Sequence, residues 1–432
     1  MPAVNDLTKT LQIYFDQTVE GFDASVVLAQ QASQYTPPAV DMSRANNQFW
    51  RPQPMALQVR PGWDTTGVNP EALQRLSVRA GLDNPGNIEI ALNLQELQDQ
   101  TNMSEAVSAA HLQLAAHVDV SVTDVVSKTG SLVVTGQDKF VWKMGATADA
   151  MMNEQGVKMG SERSLFLSPQ HYIDIGETLG DKQNHQGDVS TAWGQARLPK
   201  NIAGFQSFQT DYSGFVAGNT ATGITLASDA DYTPTAMAPN PGGSGQSPVD
   251  NRFATMTIAV TAGTLNVGDA FTVAGVYAVH HTKKTKTPRL KTFRVVDVQG
   301  AIVTYCPPII STGPYQNVSA LGASGAEVKI LNTADQSPSI FWRKNSVELI
   351  RGNFDGLNNL QGGARFMKAT TKKLGLPIAM LYWLDGKSVV YAVKWLIFFG
   401  VNNLNPEMNG IILPNQLSST AIAALSKKPP KE

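Results

Sequence analysis

The sequence predicts an α+β protein whose mixed domain is interrupted by an all-β module. Three observations lead to this class. Two long segments in the first third of the chain repeat apolar residues every three to four positions, which is the helical period. Residues 222–338 are short β-prone runs separated by Gly, Asn and Asp turns, which is typical of a small antiparallel barrel or sandwich. The segments on either side of this module mix helical and strand patterns.

The composition indicates a protein that buries much of its surface against other protein, with copies of itself as the simplest case. Charged residues make up 16% of the 432 residues, against roughly 25% in an average domain. No apolar run approaches the ~20 residues of a membrane span, so no membrane partner is expected. The net charge of −1 lacks the basic excess of a dedicated nucleic-acid binder. The single cysteine, Cys306, excludes an intramolecular disulfide and favours assembly in a reducing cytoplasm.

The two predicted helices cover residues 6–31 and 102–127. Tyr35-Thr-Pro-Pro38 follows the first, and proline stops a helix because it lacks a backbone donor and restricts its predecessor. A helix followed by a rigid break is typical of an arm rather than of a core. Residues 42–98 are predicted to be extended, since apolar residues alternate along 88–94 with the period of a strand.

Further elements are predicted along the rest of the chain. Helices are expected at Met144–Lys158 and from Ser168, where proline occupies the first turn. Asp229–Asp250 is rich in glycine and proline and is expected to be a long exposed loop without regular structure. Near the C-terminus, residues 378–384 and 389–399 flank an Asp-Gly pair, which predicts a hairpin with a type I′ turn.

Motifs of catalytic chemistry are missing from the sequence. It contains no Gly-x-Ser-x-Gly elbow, phosphate loop, HExxH or paired CxxC, so neither an enzyme nor a cofactor or metal site is predicted. His111 and His117 are six residues apart on a helix, whereas ligands on one face need a spacing of four. His280 and His281 project to opposite faces of a strand, and Cys306 is interpreted as a buried thiol.

A basic run is the strongest local charge feature. It contains Lys283, Lys284, Lys286 and Arg289. Three interpretations remain open for these side chains, namely a solvated loop, salt bridges to a neighbouring subunit, and nucleic-acid binding. The run lacks the interleaved aromatic residues of a single-strand binding surface.

A series of short segments, spread in order over nearly the whole chain, resembles the coat proteins of the P-22 group of short-tailed phages. The order and spacing of these segments carry the resemblance, rather than any one of them. They are Tyr35-Thr-Pro-Pro38 followed by Trp50, Gly62-Trp63-Asp64, Gly130-Ser-Leu-Val-Val134, Ala203-Gly204-Phe205, Thr220-Ala-Thr-Gly-Ile-Thr225, Val249-Asp-Asn-Arg-Phe-Ala-Thr255, Phe271-Thr-Val-Ala-Gly-Val276, Phe341-Trp342, and Gly400-Val401-Asn402 with Pro406.

The resemblance implies a Hong Kong 97-type capsid fold with an extra β-barrel insertion domain. It also implies names and boundaries for the parts of the chain. These are an N-terminal arm at 1–40, an extended loop (a β-hairpin) at 41–100, the spine helix of a peripheral domain at 101–129, an axial and peripheral domain at 130–221 and 339–432, and the insertion domain at 222–338.

The resemblance also implies a function and partners. The expected function is that of a major capsid protein whose hexamers and pentamers form an icosahedral phage head. The implied partners are further copies of the chain, a scaffolding protein, a portal protein, and packaged double-stranded DNA bound without sequence specificity. Assembly is expected in the host bacterial cytoplasm, with expansion of the shell on packaging, and the final location is the virion capsid.

Two candidate contacts of such a shell lie in the first 63 residues. Asp16, Glu20 and Asp23 on the arm are expected to meet a basic segment of the scaffolding protein, the alternative being that they only keep the helix soluble. Trp63, near the tip of the extended loop, is expected to anchor in a neighbouring subunit, because large aromatic residues dominate interface energetics. The alternative for Trp63 is a place in a local core.

A third candidate contact is the loop Asp229–Asp250. Asp229, Asp231 and Asp250 are expected to seek basic partners on an adjacent capsomer, the alternative being an unbound flexible loop. The Gly/Pro-rich tip of this loop departs from the pattern of the resembling family.

Two other function classes stay open at this stage. A virion decoration or tail protein would explain the β-rich module but not the arm and long helix. A β-rich carbohydrate-acting enzyme would need two carboxylates about 5 Å apart, an arrangement that no sequence excludes.

Overall fold

The structure is a computed structural model. It describes residues 7–38, 48–57, 63, 75–92, 100–158, 162–180, 201–240, 243–354, 365–385, 390–418 and 422. The chain divides into two compact units. The first comprises Met1–Phe49, Ala80–Thr123 and Val347–Asn402, and the second comprises Trp50–Arg79, Asp124–Ser346 and Asn403–Glu432.

Helices and strands alternate irregularly along the described residues. The helices are α1 Leu7–Ser25, α2 Gln100–Thr129, α3 Trp142–Glu154 and α4 Pro169–Gly180. The strands before the β-rich region are β1 Ser33–Tyr35, β2 Gln48–Pro52, β3 Ser77–Gly81, β4 Gly86–Leu92, β5 Leu132–Thr135, β6 Arg163–Leu167, β7 Asn201–Ile202 and β8 Phe205–Gln209. Those of the β-rich region are β9 Thr222–Leu226, β10 Met237–Pro239, β11 Gln246–Pro248, β12 Ala254–Ala262, β13 Ala270–Val279, β14 Lys286–Gln299, β15 Ile302–Cys306 and β16 Glu327–Ile330. The last strands are β17 Ser339–Arg343, β18 Val347–Arg351, β19 Arg365–Thr370, β20 Pro377–Asp385, β21 Val390–Ile397, β22 Phe399–Asn403 and β23 Asn409–Leu413.

The first unit contains two sheets, α1 and most of α2. One sheet has the order β1-β18-β22 and the other is an antiparallel sheet with the order β19-β20-β21-β4. The predicted hairpin near the C-terminus is confirmed, since β20 and β21 pair from Ile378 with Ile397 to Asp385 with Val390. Its turn lies outside the described residues. The alternation predicted for a strand is confirmed in β4, which pairs with β21.

The N-terminal helix is shorter than the sequence predicts. The period of its buried residues continues to Val26, but α1 ends at Ser25 and a short 3-10 helix follows at Ala29–Gln31. The chain leaves the helix because the backbone N–H groups of Val27 and Ala29 donate to the carboxylate of Asp119 on α2, at 3.1 and 3.0 Å. A side chain about ninety positions away therefore ends the helix, and no local pattern predicts it.

The second unit combines a six-stranded sheet with the β-rich module. The sheet has the order β5-β23-β17-β6-β8-β7. On the sheet, Trp342 stacks on Phe166 with a 4.1 Å separation of ring centroids. The core of the sheet and helices includes Phe140, Met152 and Phe341. The helix predicted at 144–158 is present as α3 but begins two residues earlier and ends four residues earlier, at Glu154. The helix predicted from Ser168 is confirmed as α4.

The β-rich module is a closed barrel of six strands in the order β12-β15-β14-β13-β16-β9. Closure pairs every strand on both sides, which removes the exposed edges that make open sheets prone to aggregation. Its core contains Phe271, Phe293 and Tyr305, whose rings contact one another. The predicted α+β class with an inserted β-barrel is confirmed.

Strand β14 is part of the barrel and also contacts residues beside the six-stranded sheet. Alternation along a strand directs neighbouring side chains to opposite faces. Phe293 and Val295 belong to the barrel core. The hydroxyl of Thr292 donates to the carbonyl of Ser131, at 2.5 Å, next to the edge strand β5. The guanidinium of Arg294 donates to the carbonyl of Ser127 in the last turn of α2, where a cation is favourable.

The expectation that 229–250 has no regular structure is wrong. Strands β10 and β11 form a two-stranded antiparallel ribbon in this segment. Hydrogen bonds from Asn240 N to Gly245 O and from Val249 N to Ala236 O set the alternation of the ladder. Pro239 and Pro248 fall at the positions that are not hydrogen-bonded across this ribbon. Their missing N–H groups therefore cost no ladder bond.

Candidate functional site

Two of the three acids that were predicted to meet a scaffolding protein are exposed on α1, and the third is buried. Asp16 and Glu20 lie one turn apart on the solvent side of the helix. Asp23 is buried, and its carboxylate accepts hydrogen bonds from the backbone N–H groups of Lys372 and Lys373, at 2.7 and 3.4 Å. Asp23 thus holds the end of α1 to the turn after β19. Of these three acids, Asp16 and Glu20 alone lie on the exposed face of α1.

A buried carboxylate that the sequence analysis missed holds the connection after α1. Asp119 accepts hydrogen bonds from the backbone N–H groups of Val27, Leu28 and Ala29. Burial raises the pKa of Asp119, while these three hydrogen bonds act in the opposite direction. The available signal was an acid between Val118 and Val122 on the buried face of the predicted helix.

The three acids of the 229–250 segment all have partners within the chain. Asp229 accepts from the N–H of Ser324 at 2.7 Å. Asp231 accepts from the N–H and the hydroxyl of Ser311, at 3.1 and 2.8 Å. These contacts make the acids local caps that shape the loop.

Asp250 works together with Arg252. The carboxylate pairs with the guanidinium of Arg252 at 2.5 Å. The same guanidinium donates to the carbonyls of Asn403 and Arg79, at 2.6 and 2.9 Å. Arg252 therefore ties the start of the barrel to two other segments of the second unit, and Asp250 holds it in position.

The basic run is largely engaged in contacts within the chain. The ammonium of Lys284 donates to the carbonyls of Pro314 and Gln316, at 2.6 and 3.0 Å. Lys286 lies 3.6 Å from the ring centroid of Tyr277, and Arg289 pairs with Glu154 at 2.9 Å. Lys283 is exposed.

A buried ion cluster joins the barrel to the six-stranded sheet. The ammonium of Lys291 on β14 lies 2.5 Å from a carboxylate oxygen of Glu407, which lies just before β23. Asn317 donates to the same oxygen at 3.0 Å, and Nε2 of His281 lies 3.1 Å from the other one. No local pattern in the sequence predicts this ion pair, because Lys291 and Glu407 are 116 positions apart.

Two ionisable groups of this cluster, Glu407 and His281, have shifted pKa values. Burial acts to raise the pKa of Glu407, but the positive charges of Lys291 and His281 and the hydrogen bonds from Lys291 and Asn317 outweigh it, so the pKa falls to about 2. Burial lowers the pKa of His281, with Glu407 acting in the opposite direction. The carboxylate is therefore ionised at neutral pH and compensates a fully buried ammonium.

One pair in the second unit has the spacing of a nucleophile and its base. Nδ1 of His171 lies 2.7 Å from the hydroxyl of Ser339, and Gln336 lies 2.8 Å from Nε2. Burial lowers the pKa of His171 to about 4, and Asp174 acts in the opposite direction. Both His171 and Ser339 are buried, so the pair links α4 to β17 and is closed to a substrate.

The remaining candidates for chemistry are structural side chains. Cys306 is buried, which raises the pKa of its thiol and keeps it in its unreactive form. The ring of His111 lies against α1 at Gly21, and that of His117 contacts Phe399 edge to face. Within the described ranges, no three His, Cys, Asp or Glu side chains are grouped to hold a metal ion. None of the helices in that part of the chain has the length and apolar character of a membrane span.

Trp63 is fully exposed. It is thus not part of a core among the described residues. Residues 58–62 and 64–74 of the predicted extended loop lie outside the described part of the chain.

Comparisons with known proteins give a match over nearly the whole chain. The family model described as "P22 coat protein - gene protein 5" matches residues 2–415. A CUS-3 coat protein I-domain is 38% identical, covers 27% of this chain and 99% of its own length, and has a TM-score of 0.21. The mature capsid of bacteriophage PhiM1 is 8% identical over 91% of this chain and 88% of its own, with a TM-score of 0.45. The capsid of cyanophage P-SCSP1u is 8% identical over 91% and 89%, with a TM-score of 0.44.

The family match extends from the N-terminal helix through the barrel to β23, so it does not depend on one module. It confirms the relationship that the ordered short segments predict. The function that accompanies it is that of a phage coat protein, a structural component of the capsid. The chain belongs to the P22 coat protein family.

Proposed function

We propose that this chain is the major capsid protein of an icosahedral phage head that encloses double-stranded DNA. Its hexamers and pentamers form a procapsid with the help of a scaffolding protein, and the shell expands when DNA is packaged through a portal. Assembly takes place in the host bacterial cytoplasm, and the protein acts without catalysis or cofactors. The family match over residues 2–415 is the observation that carries this proposal.

The surface of the described residues supports a role with several protein contacts. Large apolar side chains are exposed in both units, including Ile13 in the first and Trp63, Phe215 and Ile173 in the second. Exposed aromatic residues are characteristic of protein interfaces, whereas scattered aliphatic ones are common on any surface. A subunit of a closed shell needs different contact surfaces on several sides.

We propose that the scaffolding protein contacts the exposed face of α1. Asp16 and Glu20 supply two negative charges next to the exposed Ile13. A basic amphipathic segment of a scaffolding protein would match this combination of charge and apolar surface. Asp23 has no part in this contact, because its carboxylate is committed to the turn after β19.

Charge reversal tests the scaffolding contact. Asp16→Lys combined with Glu20→Lys should lower the amount of scaffolding protein retained in procapsids, measured by gel densitometry of purified particles. Glu327→Lys, an exposed acid on the barrel strand β16, is the matched control and should retain the normal amount. Equal scaffold content in wild-type particles, in particles of the double variant and in particles of the control variant would reject the role of α1.

Negative-stain electron microscopy tests the proposed function as a whole. The chain should form uniform spherical shells when expressed with its scaffolding protein, and aberrant shells or none without it. Discrete small oligomers in both samples would instead indicate a decoration or tail protein.

A further inference from the structure

The extended loop and the ribbon β10–β11 meet at their bases in the second unit. A hydrogen bond from the N–H of Gln53 to the carbonyl of Leu76, at 2.9 Å, closes the described base of the extended loop. The ribbon leads within two residues to Asp250, and Asp250 forms a parallel β-bridge with Ser77 just after that base. Residues 250–252 therefore lie where the two segments join.

Asn251 closes the base of the ribbon. Its side-chain oxygen accepts hydrogen bonds from the N–H of Thr235 and the hydroxyl of Tyr232, both at 3.0 Å. Its side-chain nitrogen donates to the carbonyls of Thr235 and Val249, also at 3.0 Å. An amide side chain has two donors and two acceptor positions, so these four bonds use all of them. One buried side chain thus fixes both ends of the ribbon segment.

Asp250 and Arg252 hold the strand that leaves the extended loop. The carboxylate of Asp250 accepts from the backbone N–H of Arg79 at 3.3 Å, and Arg252 donates to the carbonyl of the same residue at 2.9 Å. The guanidinium also donates to the carbonyl of Asn403 at 2.6 Å and to both oxygens of Asp250. Its donors point in fixed directions, so all of these acceptors are satisfied in one arrangement only.

We propose that Asp250, Asn251 and Arg252 form a rigid junction that couples the extended loop to the ribbon. A neighbouring subunit that binds one segment would then shift the conformation of the other. The three residues are consecutive, so the side chain that holds the ribbon and those that hold the loop share one backbone. Coupling of this kind acts equally in both directions. The inference rests on the proposed function, since neighbouring subunits are present only in a shell.

Hydrogen exchange of the unassembled chain tests the junction. Arg252→Lys keeps the positive charge opposite Asp250 and removes the planar fork of donors. The amides of Gln53 and Thr235 are the probes, one in each segment, because neither donates to Arg252. Both should exchange about five- to tenfold faster, the effect of losing roughly one net hydrogen bond.

A double variant separates coupling from local loosening. Asn251→Ala removes hydrogen bonds to the ribbon segment, yet it should also speed exchange of the Gln53 amide by a similar factor. Combining it with Arg252→Lys should add little at Gln53, because the link is already broken, whereas independent effects would multiply.

Asn332→Ala is the matched control. Asn332 is also a buried asparagine, and it donates to the carbonyl of Ala217 beside the barrel. Its replacement should leave both probes at wild-type rates, with all rates taken relative to the Thr210 amide of the six-stranded sheet, so that global unfolding cancels. A wild-type rate at Gln53 in Asn251→Ala, or a full additional effect in the double variant, would overturn the inference. The proposed function would then still stand, since only the absence of shells from the wild-type chain rejects it.

Discussion

Replacing Glu407 by Gln tests whether the buried ion cluster holds the barrel to the six-stranded sheet. The substitution keeps the size of the side chain and removes the charge that faces Lys291 at 2.5 Å. The side chain of Lys291 is fully buried, so its ammonium would lose its compensating charge. Removing one partner of a buried ion pair destabilises a protein by about 3–5 kcal/mol.

The pKa of Glu407 provides a second measure of the same effect. Its fall from 4.5 to about 2 corresponds to about 3 kcal/mol, at about 1.4 kcal/mol for each pKa unit. Because the pKa is lower in the folded state, this contribution is fully present above pH 4.5. It is lost as the pH falls from 4.5 towards 2. The two measures agree that the free energy of unfolding should decrease by about 3 kcal/mol at neutral pH.

The assay is urea unfolding of the unassembled chain at pH 7, with hydrogen exchange of the amides of residues 291–295 as a local measure. Glu154→Gln is the matched control, because Glu154 pairs with Arg289 at a partly exposed site, where a pair contributes about 0–1 kcal/mol. Adding Lys291→Met to Glu407→Gln should restore much of the loss, since no buried charge then remains unpaired. If Glu407→Gln unfolds like Glu154→Gln, the cluster does not hold the two parts together.

Three further substitutions have defined outcomes. Asp119→Ala should speed hydrogen exchange at the amides of residues 27–29, because three backbone donors lose their acceptor, and unchanged exchange would contradict this role. The folded protein loses about 3 kcal/mol of stability through His171 as the pH falls from 6.5 to about 4, because in this interval the imidazole is protonated in the unfolded chain but not in the folded one. His171→Gln should therefore flatten the pH dependence of the unfolding midpoint over that interval, and an unaltered slope would count against it. Phe293→Ala in the barrel core should lower the free energy of unfolding, measured in urea, by about 3–5 kcal/mol. The control Ile302→Ala, at a half-exposed position of the barrel, should lower it by less than about 1 kcal/mol. Equal effects of the two substitutions would argue against a packed barrel core.

The elements with a strong local period were predictable from the sequence. The long helix α2, the strands of the barrel and the β20–β21 hairpin all appear where apolar spacing and turn residues indicate them. The period is visible in sequence because each of these elements buries one face and exposes another. The ribbon at β10–β11 was not predicted, because prolines usually argue against a strand. In this ribbon they occupy positions whose missing N–H groups cost no hydrogen bond between the strands.

The candidate site was less predictable, because exposure depends on contacts between distant segments. Asp16, Glu20 and Asp23 share one helical face in the sequence, yet only Asp23 meets the backbone of residues 372 and 373. Asp229 and Asp231 were expected to face another capsomer, and their nearest partners are Ser324 and Ser311 of the same chain. A contact with a neighbouring subunit at these positions stays a prediction.

The sequence alone determined the class of the protein, its family, and the position of the barrel within the chain, since these follow from local periods and from the order of short segments. The tertiary structure decided which charges are buried. Asp119 ends the N-terminal helix, and Glu407 compensates Lys291, through contacts that span about ninety positions or more. Such pairs leave no local trace, because the energy of a buried charge depends on its distance from a partner in space and not on its neighbours along the chain.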